Sequence, residues 1–146
     1  MKTKGVSYQQ LRSATGKVIY NGTTFLIDPM LAEKGRYEGF AGTFNAEVRN
    51  PTVELPESKE KIMEGVDAVI VTHTHLDHWD EAAQQFIDKE LPFFVQDEAD
   101  AAAVRKAGFK NVTVLDGGAE FGGVTLTRVE GTHGTQAMYD DAGLAE

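Results

Sequence analysis

Val69-Ile70-Val71-Thr72-His73-Thr74-His75-Leu76-Asp77-His78-Trp79-Asp80 is the stretch whose reading decides the fold. The apolar run 66–71 reads as a buried strand, and it delivers the chain into His-x-His-x-Asp-His. Three of the four histidines fall here. The fourth, His133, sits in the glycine-flanked turn Gly131-Thr132-His133-Gly134. Neutral imidazole and carboxylate suit zinc, manganese and iron. Side chains two apart diverge on a helix, whereas in extended chain they project to the same side. His73 and His75 are therefore expected to share one side, with Asp77 continuing the alternation and His78 pointing elsewhere. One strand end then presents two clusters, as a two-metal centre would need. Packing does not ask for so many polar groups after a buried strand, because unpaired ones are costly to bury.

Upstream, Tyr8 to Ser13 reads as a strand. Val18-Ile19-Tyr20 and Thr24-Phe25-Leu26-Ile27 follow, joined by Asn21-Gly22, a strong two-residue hairpin signal. Proline stops the ladder at Asp28-Pro29, and Asp28, after so apolar a strand, is expected to be buried beside the site and to brace it. Residues 30–56 lack periodicity and carry Gly35, Gly39, Gly42, Pro51 and Pro56 among Tyr37, Phe40 and Phe44. So long a loop is usually functional, and it is expected to face substrate, with Arg36 and Arg49 available to an anionic group.

Downstream the pattern alternates. Ser58 to Met63 reads as a short helix closed by Gly65. After the histidine stretch comes a helix from Asp80 to Lys89, with acids in its first turn and Lys89 in its last. Leu91 to Val95 is a strand expected to be buried on both faces. Asp97 to Ala107 is a helix capped by Asp97 and stopped by Gly108, and Asn111 to Leu115 is a third strand of the same kind. Such β-α-β-α-β order predicts parallel strands, whose ligand sites lie beyond the strands' carboxyl ends, where His73 to His78 sits. Asp116-Gly117-Gly118 leads into a last hairpin turning at Phe121-Gly122-Gly123-Val124, with a half-buried strand from Val124 to Val129. The tail from Thr135 is weakly helical.

His73-Thr74-His75-Leu76-Asp77-His78 resembles the metal-binding signature of metallo-β-lactamase-fold hydrolases. Thr72, Trp79-Asp80 and Phe25-Leu26-Ile27-Asp28-Pro29 look most like the branch containing ascorbate-6-phosphate lactonases. The resemblance implies that His73, His75 and His133 hold one metal, that Asp77 and His78 help to hold a second, and that Asp28 supports them from outside. It implies metal-dependent hydrolysis of a lactone or related ester, with Asp77 orienting the attacking water and accepting its proton. Phosphodiester hydrolysis is the alternative chemistry. A catalytically silent, metal-binding half-domain is the alternative of another class. Zinc is the expected ion and manganese the second choice.

The family's bridging aspartate and last histidine find no match before Glu146. Residues 1–146 are therefore expected to form a single, truncated domain. Its fold class would be α/β (α+β), the N-terminal half of an αββα sandwich, with a mixed sheet and helices on one face. Two ions belong to a complete site and one is expected here. The sheet face that the second half would cover is expected to be bare, and the chain to self-associate as a homo-oligomer.

Composition sets the remaining bounds. With 41% hydrophobic residues the chain is an ordinary globular one. It has no cysteine, which fits a reducing, cytoplasmic home. No apolar run approaches the roughly 18 residues of a membrane span, and no signal-like segment opens the chain. The net charge is −9. Residues 1–50 carry seven basic and four acidic side chains, and residues 51–146 carry seven and nineteen. An acidic surface repels nucleic acid and anionic lipid, which leaves a small molecule as the expected partner.

Overall fold

The computed structural model describes residues 5–132, 134, 135 and 137. The chain opens as an antiparallel meander of β1 (Val6–Arg12), β2 (Thr15–Tyr20) and β3 (Thr23–Ile27). Asn21 and Gly22 both take positive φ, 49° and 73°, the conformation that lets a two-residue turn match the strands' twist. The long irregular segment then leads to α1 (Lys59–Met63), where the Ser58 side chain accepts from the Lys61 amide. β4 (Ala68–Val71), α2 (Glu81–Phe86), β5 (Pro92–Val95), α3 (Glu98–Lys106) and β6 (Asn111–Val114) follow in strict alternation. The six strands make one mixed sheet in sequential order, antiparallel from β1 to β3 and parallel from β3 to β6. This is the fold class the sequence predicts.

Alternation along the strands sorts the core into two layers. Leu26, Val69, Val71, Phe93 and Val95 face Ile62 of α1, Ala83 of α2, and Ala101 and Val104 of α3. All three helices therefore lie on one side. Each fully buried large side chain there contributes about 1.5–3 kcal/mol. The opposite layer holds Phe25, Ala68, Phe94, Leu115 and Val124.

That second layer corrects one expectation. The parallel strands are not left with a bare face, because the hairpin of β7 (Ala119–Phe121) and β8 (Val124–Leu126) packs across them. Phe121 meets Phe25 and Phe94 edge-on, with ring centroids 6.0 and 5.4 Å apart. The hairpin tip is pinned where the Thr23 hydroxyl donates to the Gly122 carbonyl at 3.0 Å. A Cβ on Gly122 would stand 2.4 Å from Thr23 Oγ1, so only glycine allows that approach. The uncovered part of the same face lies on β1 and β2, where Val6, Tyr8 and Tyr20 are 70%, 59% and 50% exposed.

Three element readings also differ, two in their boundaries and one in its burial. The helix read as Asp80 to Lys89 ends at Phe86. Ile87 turns inward to burial, and the Asp88 side chain accepts the Glu90 amide at 2.9 Å, offering the backbone a turn instead of another helical bond. Lys89 consequently lies outside the helix, above the ring of Phe109 at 3.9 Å. β6 is an edge strand of alternating exposure rather than one buried on both faces. The strand read as Val124 to Val129 pairs only to Leu126. No helix among the described residues is long and apolar enough to cross a membrane.

Two buried charges fix the irregular segment to this frame. The Arg12 guanidinium, 2% exposed, donates to the carbonyls of Met30 (2.6 Å), Ala32 (2.7 Å) and Val53 (3.2 Å). Asp80, fully buried, caps α2 through the Ala83 amide and also accepts the amides of Leu31 and Ala32 at 3.0 and 2.8 Å. Burial lowers the Arg12 pKa, and the nearby charges of Asp80 and Glu54 oppose that effect.

Replacing Arg12 with alanine strands two buried carbonyls, at roughly 1–3 kcal/mol each. Urea unfolding of Arg12→Ala should therefore show a loss of about 3 kcal/mol, with proteolysis between residues 33 and 54 rising first. The exposed Lys106→Ala should stay within about 0.5 kcal/mol of the parent. An Arg12→Ala midpoint equal to that of Lys106→Ala would refute the anchoring role.

Candidate functional site

Parallel strands bring their carboxyl ends to one edge of the sheet. Asp28 follows β3, Thr72 to His78 follow β4, and Gln96 and Asp97 follow β5. The extended conformation expected through Asp77 stops earlier. Leu76 to His78 form a turn in which the amides of His78 and Trp79 both donate to the His75 carbonyl, at 2.9 and 2.8 Å. Trp79 holds the turn down by packing against Phe93 and Phe109, with centroids 5.3 and 5.4 Å away.

This turn corrects the placement of His78. Instead of pointing elsewhere, its ring comes to 3.8 Å from that of His73, centroid to centroid, and the His75 ring lies 4.5 Å from that of His73. The structure thus gathers His73, His75 and His78 into one cluster, with Asp77 Oδ2 3.6 Å from His78 Nε2. All four side chains are half-buried. His133 lies outside the described residues. Among the described residues no group of three or more His, Asp or Glu is arranged to hold a metal ion.

Asp28 stands beneath the cluster, 3% exposed. Its carboxylate accepts the Thr72 amide, the Thr72 hydroxyl and His78 Nδ1, each at 2.7 Å. These contacts fix the tautomers. A carboxylate only accepts, so His78 carries its proton on Nδ1 and turns the Nε2 lone pair outward. Thr72 has one hydroxyl hydrogen, and Asp28 takes it. Thr72 Oγ1 is then an acceptor toward His73 Nδ1 at 3.2 Å. Imidazoles braced in this way have the chemistry of ligands for a borderline divalent cation, since ligating imidazoles usually give their second N–H to just such a partner, although the described residues alone do not converge on an ion. Burial disfavours charge on His78, but the hydrogen bond and charge of Asp28, with Asp77 adding, outweigh it and raise its pKa.

Beside the cluster lies an open pocket of about 980 Å³. Its walls come from the ends of β4 and β5, from Leu115, and from residues 127–132 and 134. None of them comes from residues 30–56, the segment expected to face substrate. Arg49 is occupied within that segment, donating to the carbonyls of Gly35 and Arg36 at 2.7 and 3.1 Å. Sequence reasoning missed Thr72 as the relay between Asp28 and His73. It also missed Asp100, whose Oδ1 accepts the Thr74 hydroxyl at 2.7 Å. The signal for Thr72 was its place between strand and histidine; nothing in sequence spacing pairs Thr74 with Asp100.

No protein-family model matches the chain. It is 51% identical over 125 residues to the UPF0173 protein YddR of Bacillus subtilis (strain 168), an alignment covering 86% of this chain and 49% of that protein. Its fold superposes on a possible metal-dependent hydrolase from Veillonella parvula DSM 2008 with a TM-score of 0.91 and 47% identity, over 97% of this chain and 54% of the other. An isothiocyanate hydrolase from Delia radicum gut bacteria gives a TM-score of 0.85 and 48% identity, over 92% and 52%. The chain spans about half the length of these relatives, and the two solved structures bear the names of hydrolases, one of them a possible one.

Proposed function

We propose that this chain carries the metal-ligating loop of a hydrolase of the metallo-β-lactamase kind. The observation that supports it most is the clustering of His73, His75 and His78 at the end of β4, above a buried carboxylate that orients His78 and, through Thr72, His73. In this reading His73 and His75, with His133, hold one divalent ion, zinc first and manganese second. Asp77 and His78 face a second position but offer it only two groups among the described residues, fewer than a stable zinc site usually has. One ion per chain is the expected stoichiometry. The bound ion supplies Lewis acidity and a lowered water pKa.

The protein groups then divide the work. Asp77, 44% exposed at its side chain, reaches the mouth of the site, where its carboxylate orients a water and takes its proton. Asp28 keeps the imidazole of His78 in one tautomer and one rotation. The adjoining pocket receives the substrate. A lactone or related ester is the first substrate class, by resemblance of the loop. An isothiocyanate, whose central carbon is likewise open to attack by water, is supported by the 48% identical relative of that name. Phosphodiester cleavage, and a silent half-domain that binds metal without turnover, are the competing readings. A small-molecule substrate, no nucleic acid and no membrane partner fit the net charge of −9. The absence of cysteine supports a cytoplasmic setting.

Metal analysis tests the centre. Zinc-loaded protein should retain about one equivalent after gel filtration, and His73→Ala, His75→Ala should retain none. Equal zinc in parent and double variant would sink the reading. The loaded parent, assayed with a lactone, an isothiocyanate and a phosphodiester, should prefer one of the first two. Binding without any turnover would favour the silent half-domain.

Self-association is the second expectation. The β1 edge and the exposed Val6, Tyr8 and Tyr20 beside it offer both an outer strand edge, open among the described residues, and an apolar face. Light scattering should show a mass above 15.9 kDa that rises with concentration. Val6→Lys with Tyr8→Lys should return the monomer. A parent that stays at monomer mass throughout would remove the proposal.

A further inference from the structure

His73 lies between two threonines, each held by a buried aspartate. On the β3 side Thr72 is tied to Asp28, and on the α3 side Thr74 donates to Asp100 at 2.7 Å. Residues 72–75 have left β4 and belong to no strand, so the sheet ladder does not set their conformation. Asp28 grips only one flank of the segment. The other, between His73 and His75, is reached from the opposite direction by α3.

Asp100 is unusually buried for an acid in the first turn of a helix, where such side chains suit the dipole but normally sit in water. It is 6% exposed, and its Oδ2 is buried with no hydrogen-bond partner among the described residues. Its own amide is satisfied by the Asp97 side chain at 2.9 Å, so the helix cap does not depend on the Asp100 carboxylate. A half-satisfied buried carboxylate costs stability, and what it provides in return is the bond to Thr74. We infer that Asp100 is a positioning residue that sets the angle between His73 and His75 through Thr74, making the histidine segment a two-sided clamp with Asp28. This rests on the metal-centre reading above.

The experiment uses cobalt(II), whose visible ligand-field bands report both affinity and coordination geometry, together with amide hydrogen exchange of the metal-free chain. Asp100→Ala and Thr74→Val should each weaken cobalt binding about 10- to 100-fold, the usual effect of removing a group that orients a ligand. Because they delete one shared bond, the double variant should be no weaker than either single one. Asp100→Asn keeps an acceptor for Thr74 and should bind near the parental level with the parental spectrum. Without metal, exchange at residues 73–76 should quicken in Asp100→Ala while β4 and the body of α3 keep their protection. Unchanged binding and exchange in Asp100→Ala, additive losses in the double variant, or an Asn variant as weak as Ala would each overturn the inference. If Asp100→Ala fails to fold, Thr74→Val carries the same two expectations from the other end of the bond. A parent chain that takes up no cobalt would overturn the metal centre, and the exchange comparison would still decide whether Asp100 holds the segment.

Discussion

The carboxylate of Asp28 is the constraint on which the site depends. It ends β3 at a positive φ of 44°, a left-handed conformation that aspartate tolerates better than most residues. Its amide still completes the parallel ladder to the Ile70 carbonyl at 2.9 Å, and its own carbonyl accepts the buried Thr15 hydroxyl at 2.7 Å. With the backbone so fixed, the side chain meets β4 where that strand ends. One residue thus joins the sheet, the start of the histidine segment and the orientation of His78. Strain of this kind persists where the surroundings over-determine it, and here three strands do so.

Much of this was legible in the sequence because the signals were local. Asn21-Gly22 needs only its own conformational preferences to close a hairpin, and Asp97 needs only the amide three residues on to cap α3. The buried runs 68–71 and 92–95, separated by helical segments, carry enough periodicity to give parallel strands and hence the end of the sheet at which His73 to Asp77 emerge. Asp28 could be expected below them because a carboxylate after Phe25-Leu26-Ile27 has few other uses.

What was not legible depends on contacts between distant residues. The bonds of the His78 and Trp79 amides to the His75 carbonyl curl the segment, and Trp79 stabilises that curl only because Phe93 and Phe109 are waiting in the core. No two-residue period can anticipate it, so His78 was placed on the wrong side. Arg12, in a strand that otherwise looks solvated, gave no sign that it would thread inward to carbonyls 18, 20 and 41 residues later. The covering hairpin was legible as a hairpin but not as a cover. Its packing partners Phe25 and Phe94 come from two other strands.

The hairpin joins two features that would otherwise be independent. Its apolar face seals the second core layer, and the chain leaving β8 becomes a wall of the pocket beside His73. Its tip is hooked to the turn between β2 and β3 through Thr23 and Asn21. Lid and wall are therefore one lever with a fixed fulcrum. Widening the pocket by swinging that wall outward lifts Phe121 and Leu126 from the strands below, so the width of the cavity is paid for in wetted hydrocarbon. A substrate received there, as proposed, would meet a pocket whose shape is set in part by the stiffness of that core layer.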